Sequence, residues 1–150
     1  MKKIALIPGT FDPVTVGHLS LVKTSAALFD EVVVCICINP DKTHHFDEKT
    51  RMEMLRKAVS AYPNVRVASH HGMTADFAVS IGASFIVRGI RNEKDAKYEL
   101  EMADYNLNYR GVKTILLPAP TEIAEISSTL VREKLDKGES VDALVPKDIL

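Results

Sequence analysis

The 150-residue chain lacks a surplus of either charge: nineteen Lys and Arg stand against twenty Asp and Glu, for a formal net charge of -1. A bulk positive field able to gather nucleic acid or an anionic membrane is thereby excluded, and any anion must be met locally. Long apolar runs are missing as well. The longest, Val32 to Ile38, has seven residues, well short of the roughly twenty that a membrane-spanning helix needs. The first residues also lack the charged, apolar and small-residue regions of a secretory signal. A soluble, cytoplasmic protein is expected. Cysteine is scarce: the only two, Cys35 and Cys37, sit one residue apart inside that same apolar run. Strand geometry points both to one face, and the spacing is not the CxxC of metal or redox pairs, so two buried, reduced core thiols are expected. There is no internal repeat, low-complexity tract or linker. With 46% hydrophobic content, 150 residues suffice for one sizeable core and not for two ordinary domains, so residues 1–150 are read as a single domain.

What is present alternates between short apolar runs and longer amphipathic stretches. Ile4 to Ile7, Val32 to Ile38, Val65 to Ala68, Phe85 to Val87 and Thr114 to Leu117 read as strands, several continuously apolar, as strands covered on both faces must be. Between them, Gly17 to Phe29, Glu48 to Ala61, Thr74 to Ile81, Glu93 to Tyr109 and Ser128 to Lys137 read as helices. Asp47 can cap the second and Ser127 the fifth, whose end carries Lys134, Lys137 and Gly138 in the expected order. The alternation predicts an α/β, Rossmann-like doubly wound domain with a five-stranded parallel sheet flanked by helices and right-handed crossovers.

In such a sheet, ligands bind outside the carboxyl ends of the strands. The segments following the five strands are PGTFDPVTVGH, NPDKTHHF, SHHGMT, RGIRNEKD and PAPTEIAEISST, so nearly every chemically suggestive residue converges on one rim. Cations and histidines recur there, and two segments lead into helix starts, Gly17-His18 and Ser127-Ser128-Thr129. Helix starts offer unpaired N–H groups and about half a positive charge, so the rim reads as an anion site. Neither the G-x-x-x-x-G-K-[ST] phosphate loop, the G-x-G-x-x-G fingerprint nor a G-x-S-x-G elbow occurs. What remains is a set of positive groups without an evident nucleophile: His18, Lys42, Arg88 and Arg91. That set suits transfer at phosphorus with a substrate phosphate as attacker, because a phosphate monoester with a second pKa of about 6 is largely ionised at neutral pH. Such an enzyme needs no general base, only alignment and charge stabilisation.

PGTFDPVTVGH, RGIR followed by Asp95 and by Tyr98-Glu99, and ISSTLV resemble, in order and spacing over almost the whole chain, the bacterial phosphopantetheine adenylyltransferases, members of the nucleotidyltransferase superfamily with the T/H-x-G-H motif. The resemblance implies transfer of AMP from Mg-ATP to 4'-phosphopantetheine, giving dephospho-coenzyme A and pyrophosphate in coenzyme A synthesis. It implies Mg2+ carried on the ATP phosphates with no protein metal ligand, and a homo-oligomer, specifically a homohexamer of two trimers. It places Thr10 and Phe11 at the nucleotide and acceptor phosphate, His18 at the α-phosphate, and Lys42 between acceptor phosphate and α-phosphate. Arg88 matches the acceptor-site arginine. Gly89, Ile90 and Arg91 match the ATP segment, with Arg91 on the polyphosphate, and Glu99 a carboxylate near the nucleotide. Ile123, Ala124, Glu125, Ile126, Ser127, Ser128 and Thr129 correspond to the adenylate loop and helix start, with Ser128 and Thr129 donating to the β- and γ-phosphates. Met73 and Thr74 fall where the pantetheine arm would lie.

Blander roles stand beside these. Arg88 and Arg91 suit ion pairs with Glu93 or Asp95, Ser127 to Thr129 suit simple capping, and Asp12 suits either a turn or an approach to magnesium. The pairs His44-His45 and His70-His71 point apart on any regular element and read as loop polarity rather than as a metal site. Three departures from the family pattern are visible: Ile123-Ala124-Glu125 where an aromatic and a serine are common, Ala96-Lys97 before the Tyr-Glu pair, and an end soon after VPKDIL. Along Glu93 to Tyr109, Ala96, Leu100, Ala103 and Leu107 form one stripe and Tyr98, Met102, Tyr105 and Tyr109 another, displaced by about 200°. One is expected to meet the sheet and the other a second subunit. ISSTLVR also resembles the nicotinate or nicotinamide mononucleotide adenylyltransferases, against which RGIR and Thr15 count. A cytidylyltransferase acting on glycerol phosphate and a nucleotide-binding regulatory module without catalysis are the remaining alternatives.

Overall fold

The computed structural model describes residues 1–150. Its five strands, β1 (Ile4–Gly9), β2 (Glu31–Ile38), β3 (Val65–His71), β4 (Phe85–Ile90) and β5 (Lys113–Pro118), form one parallel sheet in the order β3-β2-β1-β4-β5. The helices α1 (Val16–Leu28), α2 (Glu48–Val59), α3 (Thr74–Ser80), α4 (Glu93–Arg110) and α5 (Ser128–Asp136) connect or follow them, with a single 3-10 turn at Thr121–Ile123. Period-two alternation sorts the strand side chains to two faces. Ala5, Ile7, Val32, Val34, Ile36 and Val87 pack with Val22 of α1 and with Met54, Leu55 and Val59 of α2. Leu6, Val33, Cys35 and Ile86 pack with Ala75 and Ala78 of α3. Strands covered on both sides must be apolar on both, which is why β2 reads EVVVCICI. Asp47 and Ser127 cap α2 and α5 as expected, accepting from the Thr50 and Leu130 amides.

Three strands run further than their apolar cores. β1 continues through Pro8-Gly9, β3 through Ser69 to His71, and β4 through Arg88 to Ile90. His70 and His71 are therefore strand residues and not loop residues, with the His70 ring stacked on Phe77 at 4.7 Å. The added residues Pro8, Gly9, Arg88 and Gly89 of β1 and β4 border cavities. β1 pairs with β2 as far as Gly9, and β4 with β5 as far as Ile90, yet β1 and β4 pair only at Ala5–Phe85 and Leu6–Ile86. Beyond that point the two central strands part, opening the crevice expected where strand order reverses.

α4 departs from expectation. Neither apolar stripe meets the sheet as a whole, since of the first only Ala103 turns inward: Leu100 and Tyr98 are each 59% exposed, and Leu107, Met102, Tyr105 and Tyr109 are exposed as well. The face turned inward carries Glu99, Ala103 and Asn106, of which Glu99 and Asn106 are buried. It is polar because it walls a cavity. The last residues also pack, with Val141 and Val145 against Val131 of α5, Ile149 in the main core, and the Leu144 carbonyl accepting the Val16 amide at the start of α1.

Candidate active site

The loop from Pro8 to His18 is a mount for one imidazole. Thr15, buried, is the N-cap of α1, and its hydroxyl accepts from the His18 amide. The His18 ring reaches back so that Nδ1 accepts from the Thr15 amide at 3.0 Å, a capping box in which imidazole replaces the usual glutamate. Because Nδ1 is an acceptor, the ring proton sits on Nε2, which makes no hydrogen bond within the chain and is left for a ligand. Burial first, and the nearby Arg88 and Arg91 charges second, lower the His18 pKa to about 4. The imidazole is thus a neutral donor at pH 7. Phe11 supports it edge-to-face at 4.8 Å. Holding Phe11 there requires a left-handed backbone, φ 50, and a glycine beneath: a Cβ on Gly9 would come within 2.9 Å of the Phe11 ring.

The parted strand ends serve two cavities on opposite faces. The larger, about 610 Å³, lies on the α1 and α5 side and is lined by Thr10, Phe11, Thr15, Gly17, His18, Gly89, Arg91, Asp95, the Leu117 to Pro120 segment, Ile123, Ile126, Ser127 and Ser128. The smaller, about 360 Å³, lies on the α3 and α4 side and is lined by Cys37, Gly72, Met73, Thr74, Tyr98, Met102 and Asn106 among others. Pro8, Gly9, Thr10, Arg88 and Glu99 border both. Gly89 faces the larger cavity beneath Leu21 of α1, which a Cβ there would meet at 3.8 Å.

Arg88 spans the gap between the parted strands. Its Nε and Nη2 donate to the two oxygens of Glu99 at 2.9 and 2.8 Å, and Nη1 donates to the Pro8 carbonyl at 2.8 Å. Two of its five N–H groups remain free. Burial opposes the charge, but the paired Glu99 carboxylate outweighs it, and the guanidinium pKa is raised. Glu99, 6% exposed, is therefore first a fork for Arg88, although it also borders the larger cavity.

The other expected site residues divide. Arg91 borders the larger cavity but donates to Asp95 at 3.1 Å, the ion pair weighed against a phosphate role. Ser127 is the cap of α5. The Ser128 hydroxyl donates to the Pro13 carbonyl at 2.8 Å, so its proton is spent inside the chain, and what α5 offers a ligand is its first amides, which no helix can pair internally. The Thr129 hydroxyl accepts from Arg132 at 3.1 Å, outside the cavity wall. Ile90, Ala124 and Glu125 also lie off the wall, whereas Ile123 and Ile126 lie on it. Ile90 follows from strand alternation, since Gly89 takes the cavity-facing position. Met73 and Thr74 line the smaller cavity.

Lys42 is exposed and borders neither cavity. Its loop is anchored one turn later, where buried Asp12 accepts the His45 and Phe46 amides at 2.8 and 2.9 Å. Both Asp12 oxygens thus join two loops, from the turn that one of its readings expected. No three His, Cys, Asp or Glu side chains are grouped to hold a metal ion. Cys35 is buried as expected, but Cys37 is only partly buried and faces the smaller cavity, so it is not a core thiol. Thr15, Cys37 and Asn106 escaped the sequence reading. Asn106 had a signal, lying two turns after Glu99 on the same helical face.

A parallel sheet, a strand-reversal crevice and two phosphate-sized helix starts define a nucleotidyltransferase-like site. The family model described as cytidylyltransferase-like matches residues 6–134. The chain is 44% identical over 143 residues to the phosphopantetheine adenylyltransferase of Bacteroides fragilis, covering 95% of each. It is 42% identical over 147 residues to that of Bacteroides thetaiotaomicron, covering 98% of this chain and 97% of the relative. Within the cytidylyltransferase-like class, the chain belongs to the phosphopantetheine adenylyltransferase family. A Vibrio parahaemolyticus crystal structure assigned to nicotinate-nucleotide adenylyltransferase superposes with TM-score 0.75 over 99% of this chain and 90% of that one; at 19% identity it speaks to the fold alone. No helix is long and apolar enough to cross a membrane.

Proposed function

We propose that this chain is a pantetheine-phosphate adenylyltransferase: it transfers AMP from ATP to 4'-phosphopantetheine, giving dephospho-coenzyme A and pyrophosphate. The observation that carries the reading is the shared wall. Two substrates seated in cavities on opposite faces of the sheet meet at Thr10 and Arg88, which supports in-line attack of one phosphate on another. ATP takes the larger cavity, with its base among Leu117 to Pro120, Ile123 and Ile126, and its polyphosphate toward the starts of α1 and α5. The two free N–H groups of Arg88 hold the acceptor phosphate without breaking the Glu99 fork. The His18 Nε2 proton donates to the α-phosphate as charge develops there. Preorganised donors of this kind act without reorganising, which is where positioning becomes rate. Arg91 exchanges Asp95 for polyphosphate. Lys42 joins only if its loop carries it over the rim.

Mg2+ is read as part of the Mg-ATP substrate, held by phosphate oxygens, because the carboxylates bordering the larger cavity, Asp95 and Glu99, are both paired with arginines. The exposed Tyr98, Leu100, Met102, Tyr105, Leu107 and Tyr109 face of α4 supports a homo-oligomer, and the family resemblance a homohexamer. The deciding experiment supplies Mg-ATP with 4'-phosphopantetheine, nicotinate mononucleotide, nicotinamide mononucleotide or glycerol phosphate, repeats the set with CTP, and measures pyrophosphate. Release only with ATP and 4'-phosphopantetheine is expected. Faster release with a mononucleotide, or ATP binding without any turnover, would refute the reading.

A further inference from the structure

Cys37 is the only thiol on a cavity wall. Strand alternation buries Cys35 in the α3-side core and brings Cys37, two residues on, to the edge of the smaller cavity. Its Sγ lies 3.8 Å from the Thr74 hydroxyl and 4.0 Å from the Cys35 carbonyl. A second feature of the same wall points to a ligand. Asn106 is 7% exposed, lines the cavity, and its amide makes no hydrogen bond within the chain. On the same wall the Thr114 hydroxyl is buried without a hydrogen-bond partner; buried polar groups without partners are costly, so this wall is built to receive a polar occupant. Arg88, paired with Glu99 on the same wall, keeps two free N–H groups that can receive an anion.

We propose that Cys37 is a modification site: its thiolate exchanges with an anionic low-molecular-weight disulfide, and the resulting mixed disulfide closes the smaller cavity. The Cys37 sulfur attacks one sulfur of the reagent, whose S–S bond breaks as the new one forms. The other half leaves as a thiolate and takes a proton from solvent, matching the proton Cys37 has lost. One disulfide is consumed and one made, so no further oxidant is required. The thiolate is favoured because the neighbouring Cys35 thiol lowers the Cys37 pKa, with the Thr74 hydroxyl, the Gly9 amide and the Arg88 charge acting in the same direction against burial. The Cys37 neighbour, together with burial, raises the Cys35 pKa, and Cys35 stays protonated and inert. Arg88 selects for anionic reagents.

The inhibitory consequence rests on the acceptor reading of the smaller cavity, whereas the adduct itself does not, and the test separates them. The reduced, ligand-free chain is incubated at neutral pH with glutathione disulfide and, in parallel, with cationic cystamine, then followed by intact mass and peptide mapping. One adduct on Cys37 is expected, with Cys35 free, formed several-fold faster from glutathione disulfide, reversed by dithiothreitol and missing from Cys37→Ser. No adduct, an adduct on Cys35, or equal or faster reaction with cystamine overturns the proposal, and the native chain alone supplies those outcomes. The glutathionylated protein is expected to lose acceptor-dependent pyrophosphate release while still binding ATP. Unimpaired turnover of the adduct overturns the closing of the cavity. An unmodified protein without activity toward 4'-phosphopantetheine refutes the functional reading and leaves the adduct standing.

Discussion

On the α1 side of the sheet tip, the larger cavity takes its polarity from the backbone: two capped helix starts, a glycine on β4, and a neutral imidazole whose orientation is set by main-chain hydrogen bonds. On the α4 side, the smaller cavity takes its polarity from side chains buried at some cost: a bidentate ion pair, an unpaired hydroxyl and a thiol. The difference teaches how one strand-reversal crevice can hold two phosphates without their repelling groups colliding. On the proposed reading, the phosphate that must change geometry meets chiefly backbone dipoles and His18, and the acceptor phosphate meets Arg88 where the two cavities join. A guanidinium held by a buried carboxylate cannot swing away. An amide-lined helix start can follow small shifts in a polyphosphate without losing its partners.

The comparison can be broken most severely at Arg88. Arg88→Met leaves Glu99 buried and unpaired, for which breaking one side of a buried pair costs about 3 to 5 kcal/mol. Denaturant unfolding should show that loss, and acceptor binding by calorimetry should vanish while ATP binding survives. Recovery of stability in Arg88→Met/Glu99→Met without recovery of acceptor binding would sharpen the assignment; parallel loss of ATP affinity would undo it. Next in size is His18→Ala. Removing one preorganised donor costs roughly 2.7 to 4 kcal/mol of barrier in comparable sites, so kcat should fall about 10²- to 10³-fold with ATP affinity nearly unchanged. A drop confined to KM for ATP would mean that His18 binds and does not stabilise the transition state.

Smaller effects test the backbone side. Ser127→Ala removes the cap of α5 and should cost about 1 kcal/mol of stability with a matching weakening of ATP binding; if only stability changes, the α5 start is a structural end and not a phosphate seat. The pH dependence is subtler still. The folded His18 titrates near 4 and the unfolded one near the ordinary value of about 6.5. Between those values the unfolded chain binds more protons. The His18 contribution to stability is therefore complete above about 6.5 and is lost as pH falls toward 4. Protonation would also remove the acceptor that Thr15 uses. A titration of the His18 ring by NMR in the free chain should show a midpoint near 4, and a midpoint at the ordinary value would contradict the desolvated, capping imidazole.

Much of this architecture was legible along the chain. Apolar runs located every strand, and the caps Asp47 and Ser127 located two helix starts, because these signals are local: they depend on a residue and its neighbours within a turn. The rim was legible for the same reason, since chain direction alone puts all strand-following segments of a parallel sheet at one end. The reading of α4 failed because periodicity shows that a helix has faces and not which face the sheet takes. Leu100 and Leu107 looked like core, yet Glu99, Ala103 and Asn106 face inward, where a cavity and Arg88 replace an apolar floor. The hydrogen-bond partners of Asp12 and Ser128 were equally out of reach. Their partners, the His45 and Phe46 amides and the Pro13 carbonyl, lie far along the chain.

By itself, the order of residues determined the elements, their parallel arrangement and the gathering of Thr10, His18, Arg88, Arg91 and the α5 start at one end of the sheet. Only tertiary structure decided which side of that end each group serves, that Glu99 grips Arg88, that Lys42 stands outside both cavities, and that Cys37 is reachable while Cys35 is not. The physical reason is range. Helix and strand signals are carried by hydrogen bonds closed within a few residues, whereas burial, pairing and protonation state are set by whichever distant segments fold against a group, and those are not written beside it.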